Sequence, residues 1–226
     1  HVADAPARRR LVRRLRQRVG RPIRCVYAMN EETVIMNRQE IMRWLRTENE
    51  TELASLWAQA DSVRREHVGE AVHLRGLLEI SNWCVRMCGY CGLRAANKGV
   101  ERYRMTREEI LDGARMAAQL GYGTVVMQAG EDYSITREWL ADVVRRIKAE
   151  TPLAVTLSMG ERPDEDLAAW REAGADRYLL RFETSDSKLY RLIHPPSPLA
   201  DAEESDVEDR LRILRRLREL GYEAGS

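Results

Sequence analysis

The 226-residue sequence has no long apolar run, little cysteine and a single phenylalanine. No stretch approaches the roughly 18 consecutive apolar residues of a membrane span, so we predict no transmembrane segment and no membrane partner. Four cysteines are far too few for a disulfide scaffold. An apolar fraction of 44% is ordinary for a globular protein and argues against disorder over the whole chain. The length suits one domain with a sizeable core.

Acidic residues are absent from residues 8–24, which contain nine arginines, although the net charge of the chain is only +1. Such an arm binds nucleic acid or an anionic surface, or it is a solvated tail or an upstream extension. We favour a tail or an extension, with no nucleic-acid partner. No apolar core follows the arginines, so the arm is not a secretory signal, and it lacks the serines of a transit peptide. These features favour a reducing cytoplasm.

Helical patterns begin at Asn37, which forms a capping box with Glu40, and a second helix is predicted to begin at Thr51. From residue 72 onward, short apolar runs alternate with helices. The predicted strands cover residues 72–81, 124–129, 153–159 and 176–183. Strands that alternate with helices indicate parallel βα units. We therefore divide the chain into a basic, flexible arm (1–36), N-terminal helices (37–71) and an α/β domain (72–226).

The helix that follows the capping box of Thr106 and Glu109 is expected to bury one apolar stripe. The members of this stripe are Ile110, Leu111, Ala114, Met116, Ala117 and Leu120.

Three cysteines, Cys84, Cys88 and Cys91, follow the first predicted strand within eight residues. Thiols on one loop at the carboxyl end of a strand can converge on one soft metal centre. Structural zinc sites and ordinary iron–sulfur clusters take four protein ligands, whereas three ligands leave a metal position open for chemistry.

Two other interpretations of the cysteines stay open. A zinc ion would need a fourth ligand such as His67, His73 or Cys25, although His73 should lie at the far end of the same strand. The three thiols could also be unliganded and structural. Cys25 lies in the basic arm and receives no other role.

The spacing C-x3-C-x2-C, with Tyr90 before the last cysteine, resembles the radical S-adenosylmethionine (SAM) superfamily. This resemblance implies a TIM-type barrel and a [4Fe–4S] cluster held by Cys84, Cys88 and Cys91. It also implies that SAM binds the fourth iron and is cleaved to methionine and a 5′-deoxyadenosyl radical.

Longer blocks resemble the HydE group of [FeFe]-hydrogenase maturases, which is related to biotin synthase and 3-methylornithine synthase. The blocks are HLRGLLEISNWCVRMCGYCGLRAANKGVERYRMTREEI, QAGED, TLSMGERP and AGADRYLLRFET. The resemblance implies assembly of the diiron subcluster from a small iron- or sulfur-bearing precursor. The implied partners are a reductant, such as a flavodoxin or a ferredoxin, and other hydrogenase maturases.

Two alternatives to this function remain. One is an enzyme like biotin synthase or methylornithine synthase that acts on a carbon skeleton, although no cysteine follows Cys91 to hold the second cluster of biotin synthase. The other is a metal-bearing binding module whose arginine arm docks on nucleic acid.

The resemblance also implies which residues bind SAM. Gln128, Ala129, Gly130 and Glu131 correspond to a family motif that meets the SAM amino group, with Ala129 where Ser or Gly is expected. A strand-end turn with a solvated acid is the alternative.

Two-residue periodicity predicts that Arg181 and Glu183 share the strand face opposite Phe182. Polar residues at the carboxyl end of a barrel strand are typical of active sites. By resemblance, Glu183 contacts the methionyl or ribose part of SAM, Arg181 and Arg210 hold its carboxylate, and Tyr90 lies near the adenine. Arg210 as an ordinary surface arginine, and Tyr90 as a packing residue, are the alternatives.

No catalytic residue is identified from the sequence. Candidate substrate-side groups lie at the ends of the second and third strands: Asp132, Ser158, Met159 and Glu161. Tyr103 and Arg104 are expected to anchor the loop that follows the cysteines.

The α/β domain holds four complete βα units, whereas a full TIM-type barrel takes about 250 residues. We therefore expect the chain to be the N-terminal half of a radical SAM barrel, ending before or at the start of the fifth strand. A half barrel leaves two sheet edges open, so we expect dimerisation or aggregation and poor turnover.

Overall fold

A computed structural model describes residues 37–198 and 206–226. Two compact units divide the chain at residue 72, and each is described separately. The predicted basic arm, together with Cys25, lies outside the described residues. Within the described ranges, no helix is long and apolar enough to cross a membrane.

Two helices form the described part of the first unit: α1 (Arg38–Arg46) and α2 (Glu50–His67). The predicted capping box is confirmed, because Oδ1 of Asn37 accepts from the backbone N–H of Glu40 and the Glu40 carboxylate accepts from the backbone of Asn37. Helix α2 begins earlier than predicted. Its cap is Asn49, whose side chain accepts from the backbone N–H of Thr51.

The second unit contains one parallel sheet of five strands in the order β1-β2-β3-β4-β5. The strands are β1 (Gly76–Ser81), β2 (Thr124–Ala129), β3 (Ala154–Ser158), β4 (Arg177–Leu179) and β5 (Glu223–Gly225). The helices are α3 (Arg107–Gln119), α4 (Arg137–Glu150), α5 (Asp164–Glu172), α6 (Ser187–Ile193) and α7 (Val207–Glu219). This sequential parallel order confirms the predicted α/β fold with the first units of a TIM-type barrel. Three residues of the fifth strand also pair with β4.

The core lies between the helices and one face of the sheet, where Val125, Met127, Val155 and Leu157 are fully buried. The stripe predicted on α3 is buried at four of its six positions. The other two positions, Met116 and Leu120, are 62% and 64% exposed, so their assignment to the stripe is wrong. At 100° per residue, Met116 lies about 200° around the helix from Ala114 and therefore points away from the sheet.

Three predicted strands are shorter in the structure, the third by one residue at each end and the first and fourth by more. The first begins at Gly76 and not at residue 72, since its pairing with β2 starts at Gly76 and Val125. The fourth ends at Leu179 and not at residue 183. Backbone geometry explains part of this difference, because Glu183 has φ +65°, which no extended strand accommodates. The predicted alternation over Arg181–Glu183 therefore does not hold.

Candidate functional site

The three cysteines lie on the loop that joins β1 to α3, at the carboxyl end of the sheet. All three are free, half-buried thiols. The backbone N–H of Glu131 donates to Sγ of Cys84 over 3.4 Å, and that of Leu93 donates to Sγ of Cys91 over the same distance. Such donors stabilise negative charge on sulfur, which a metal-bound thiolate carries.

Burial raises the pKa of the Cys84 thiol. Burial, together with the neighbouring thiols of Cys84 and Cys91, raises the pKa of Cys88 to about 11. Without a metal these two thiols are protonated at neutral pH, so metal binding must release protons.

The donor set fits a cluster, because three sulfur ligands on one loop suit soft iron–sulfur chemistry. In the described ranges, no three or more His, Cys, Asp and Glu side chains are already gathered closely enough to hold a metal ion. A single metal ion needs its ligands gathered at one point, whereas the three thiolates of an iron–sulfur cluster each bind a different iron.

Gly130 brings the end of β2 against the cysteine loop. Its N–H donates to the carbonyl oxygen of Ser81 over 3.1 Å. A Cβ at this position would lie 2.1 Å from the carbonyl oxygen of Trp83 and 2.8 Å from Cβ of Cys84. Only glycine fits here, so the glycine of the predicted SAM motif also shapes the cysteine loop. Ala129 pairs with Ser81 across a register shift in β1.

A chain of four charges, of which Glu131 and Arg210 are buried and Arg86 and Glu161 half-buried, crosses the carboxyl end of the sheet. Arg86, from the cysteine loop, lies 2.6 Å from the Glu131 carboxylate and 2.7 Å from the Glu161 carboxylate. Glu161 also accepts from Nε of Arg210. Backbone N–H of Glu161 donates to the Glu131 carboxylate over 3.2 Å. Two arginines and two carboxylates thus alternate and neutralise one another, which burial requires.

Arg210 is buried, with only 8% of its surface exposed, so the alternative of an ordinary surface arginine is wrong. Its Nη1 donates to the carbonyl oxygen of Arg181 over 2.6 Å, and its guanidinium lies 5.8 Å from the Tyr190 ring centre. Burial, the largest single effect, lowers the pKa of Arg210, but Glu161, Tyr190 and Glu131 together outweigh it and raise that pKa. Arg210 is therefore a charged group held in a fixed orientation.

Arg86 is the site residue that sequence reasoning missed. Its guanidinium joins the ends of β2 and β3 to the cysteine loop. Burial, the largest single effect, lowers the pKa of Arg86, but the Glu131 and Glu161 carboxylates together outweigh it and raise that pKa. The sequence did contain a signal for this role. An arginine between two candidate metal ligands, Cys84 and Cys88, needs a carboxylate nearby when the fold buries it.

A second polar row lies beside this network. Nε2 of Gln128 donates to the Glu79 carboxylate over 3.2 Å, and Nη2 of Arg181 donates to Oε1 of Gln128 over 3.2 Å. Arg181 and Glu183 are both exposed and lie beyond the end of β4. Arg181 is therefore hydrogen-bonded to the predicted SAM motif through Gln128.

Tyr90 lies against α6, a helix that the sequence did not predict. Its hydroxyl lies 2.9 Å from Nε2 of His194, and the two rings meet edge to face. Nδ1 of His194 lies 3.0 Å from the carbonyl oxygen of Tyr190. His194 is thus a second neighbour of the cysteine loop that sequence reasoning missed.

Asp132 and Ser158, two of the substrate-side candidates, are buried. The Asp132 carboxylate accepts from Arg104 over 2.6 Å and from the hydroxyl of Ser81 over 2.7 Å. Burial would raise the pKa of Asp132, but these bonds outweigh it and lower that pKa. Arg104 and Tyr103, whose hydroxyl donates to the carbonyl oxygen of Glu79, therefore anchor the loop as predicted.

Comparison with known proteins places this site in a family. The family model of the radical SAM superfamily matches residues 78–226. The [FeFe] hydrogenase maturase subunit HydE of Thermotoga maritima is 47% identical over 172 residues, which are 76% of this chain and 47% of that protein. A biotin synthase of Magnetococcus marinus is 30% identical over 187 residues, or 80% of this chain and 56% of that protein.

The fold agrees with these matches. The crystal structure of methylornithine synthase (PylB) superposes with a TM-score of 0.73 at 26% identity, covering 82% of this chain and 53% of that one. The chain spans about half the length of the curated relatives it matches. The matched region includes the cysteine loop, the buried charge network and all predicted site residues. This chain therefore belongs to the radical SAM superfamily, whose members are enzymes that use a [4Fe–4S] cluster and S-adenosylmethionine.

Proposed function

We propose that this protein is a radical SAM enzyme of the HydE type that acts in maturation of the diiron subcluster of [FeFe]-hydrogenase. The observation that carries the proposal is the cysteine loop, with two sulfurs that accept backbone N–H bonds and with the end of β2 against it. The 47% identity to HydE of Thermotoga maritima supports the finer assignment.

Cys84, Cys88 and Cys91 are the proposed ligands of the cluster. When bound, a three-thiolate [4Fe–4S] cluster supplies an iron with an open position and one electron, which cleave SAM to methionine and a 5′-deoxyadenosyl radical. The protein's part is to present the thiols, which lose their protons to solvent as the metal binds, to hold the sulfurs by backbone donors and to exclude water.

The proposed SAM-binding residues surround this loop. We assign the SAM carboxylate to Arg210 and Arg181, because an arginine fork fixes a carboxylate by parallel hydrogen bonds. Glu161 and the carbonyl oxygen of Arg181 already orient Arg210, so little side-chain freedom is lost on binding. Three further contacts with SAM are proposed: the residue 128–131 segment with its amino group, Glu183 with its methionyl or ribose part, and Tyr90 with its adenine.

The proposed substrate is a small iron- or sulfur-bearing precursor, with a flavodoxin- or ferredoxin-type reductant and other hydrogenase maturases as partners, in the cytoplasm. Asp132, Ser158 and Glu161 are the proposed substrate-side groups. A second candidate function is an enzyme like methylornithine synthase that acts on a carbon skeleton, which the TM-score of 0.73 to PylB favours.

Anaerobic reconstitution with iron and sulfide tests the proposal. We expect about four iron and four sulfide per chain, and an electron paramagnetic resonance spectrum that changes when SAM is added. From the full-length protein, we also expect dithionite-dependent release of 5′-deoxyadenosine and activation of an [FeFe]-hydrogenase when the other maturases are supplied. Cys88→Ala should lose the cluster, whereas Cys25→Ala is the matched control. One tightly bound zinc, with salt-sensitive DNA binding, would refute the proposal in favour of the binding module.

Release of 5′-deoxyadenosine without hydrogenase activation would refute only the HydE assignment. It would favour the enzyme that acts on a carbon skeleton, which is then tested by product analysis for 3-methylornithine.

A further inference from the structure

Arg102 contacts four backbone carbonyl groups of the cysteine loop. It donates to the carbonyl oxygens of Asn82 at 2.5 Å and Leu93 at 2.9 Å. It also donates to those of Arg94 at 3.0 Å and Asn97 at 3.2 Å. One of these carbonyls precedes the first cysteine and three follow the last. A planar guanidinium with five donors can satisfy such a set, whereas the three donors of an ammonium group cannot reproduce its geometry.

The turn whose carbonyl groups bind Arg102 also contains the donors that bind Cys91. The N–H of Leu93 donates to Sγ of Cys91 over 3.4 Å. Arg94 binds the carbonyl oxygen of Cys91 twice, through its backbone N–H at 3.3 Å and through Nη1 at 3.0 Å. Cys84 depends on a different element, because its sulfur accepts from the N–H of Glu131 at the end of β2.

Arg102 is itself fixed at its backbone. On one side, the carbonyl oxygen of Glu101 accepts from Nδ2 of Asn82 over 2.7 Å. On the other side, Oδ1 of Asn82 accepts from the N–H of Tyr103 over 2.8 Å, and the N–H of Met105 donates to Ile80 over 2.8 Å. The segment around Arg102 is therefore pinned along β1, which directs its side chain into the loop.

We propose that Arg102 is a positioning residue for Cys91, setting the Leu93 N–H against the sulfur. The effect of this positioning on the cluster rests on the proposed function, in which Cys91 is a cluster ligand. Hydrogen bonds to cluster sulfurs help to set the reduction potential, and donors to sulfur stabilise the reduced, more negative state. Loss of Arg102 therefore loosens the turn and lowers the reduction potential of the bound cluster.

The test compares Arg102→Lys with Arg145→Lys, since Arg145 is an exposed arginine on α4. Hydrogen exchange is measured on the cluster-free full chain. We expect exchange in residues 91–98 to rise about tenfold in Arg102→Lys, while exchange in residues 124–129 stays unchanged. In the reconstituted protein, the midpoint potential should fall in Arg102→Lys and stay unchanged in Arg145→Lys. Lysine keeps the charge, so a change reports the lost hydrogen-bond geometry.

Unchanged exchange in residues 91–98 would overturn the inference. A rise in both segments, or failure to fold, would make Arg102 a general stabiliser and overturn it equally. If the exchange result holds but the unsubstituted chain binds no cluster, the loop inference stands and the proposed function fails.

Discussion

Replacing Gly130 with alanine should damage the cysteine loop by a steric clash. The added Cβ would lie 2.1 Å from the carbonyl oxygen of Trp83, more than 1 Å inside the ordinary contact distance of 3.4 Å or more. The obstructing atoms belong to the backbone, so no rotamer change relieves the clash. Overpacking costs about 1–3 kcal/mol, and a backbone obstacle places this variant at the upper end, about 3 kcal/mol. The displaced segment carries Cys84, so cluster loading should fall as well.

Gly123→Ala is the matched control, because nothing lies within 4 Å of a Cβ at Gly123, at the opposite end of β2. This substitution should change the free energy of unfolding by less than about 1 kcal/mol, in the stabilising direction. Urea denaturation of both variants measures the difference, and iron content after anaerobic reconstitution measures the consequence for the site. If Gly130→Ala were as stable and as rich in iron as Gly123→Ala, the close approach would play no part in shaping the site.

Three further predictions concern the charges and thiols of the site. Glu161→Gln leaves the buried Arg210 and the half-buried Arg86 with one carboxylate and should lower the free energy of unfolding by about 3 kcal/mol, whereas the exposed Glu165→Gln should change it by less than about 0.5 kcal/mol. Asp132→Asn should cost about 2 kcal/mol at pH 7 in urea denaturation. The folded-state pKa of Asp132 is lowered, so its carboxylate stabilises the fold above the unfolded pKa of about 4, and this contribution is lost as the pH falls through the folded value. Cys88→Ala should abolish the cluster absorbance while the far-ultraviolet circular dichroism of the sheet and helices persists.

Each of these predictions has an opposing outcome. Equal stability of the Glu161 and Glu165 variants would show that the buried network is not a stabilising unit. If Asp132→Asn left the acid-unfolding curve unchanged, the Asp132 carboxylate would make no contribution to the pH dependence of stability. Global unfolding of Cys88→Ala would make that thiol structural and not a ligand.

Local features of the fold were predictable because their causes lie within a few residues. The capping boxes at Asn37 and Thr106 were predicted and are observed, since both partners are three residues apart. Strand β2 has its predicted bounds, because a β-branched apolar run is bracketed by glycines. Family membership was equally accessible, because it depends on ligand spacing within a single loop.

Features that depend on distant partners were not predictable. The fourth strand ends early although its residues favour extension, and the positive φ of Glu183 breaks the alternation that the sequence indicated. Helix α6 was not predicted, yet its end supplies His194 to the hydroxyl of Tyr90. The sequence did not single out Arg86 and Arg102, because their importance comes from the carboxylates and carbonyl groups that contact them in the fold.

The sequence by itself therefore determined the α/β class, the order of the βα units and the three cysteines with their proposed chemistry, because periodicity and spacing are local. Tertiary structure alone decided how these parts are held. It gathered the ends of β2 and β3 and helix α7 around the cysteine loop, where burial forces Arg86, Glu131, Glu161 and Arg210 to pair. It also brought the end of β2 so close to the first cysteine that only a glycine fits at position 130. Charge pairing and close packing are properties of residues far apart in the chain, and folding must bring them together before either effect exists.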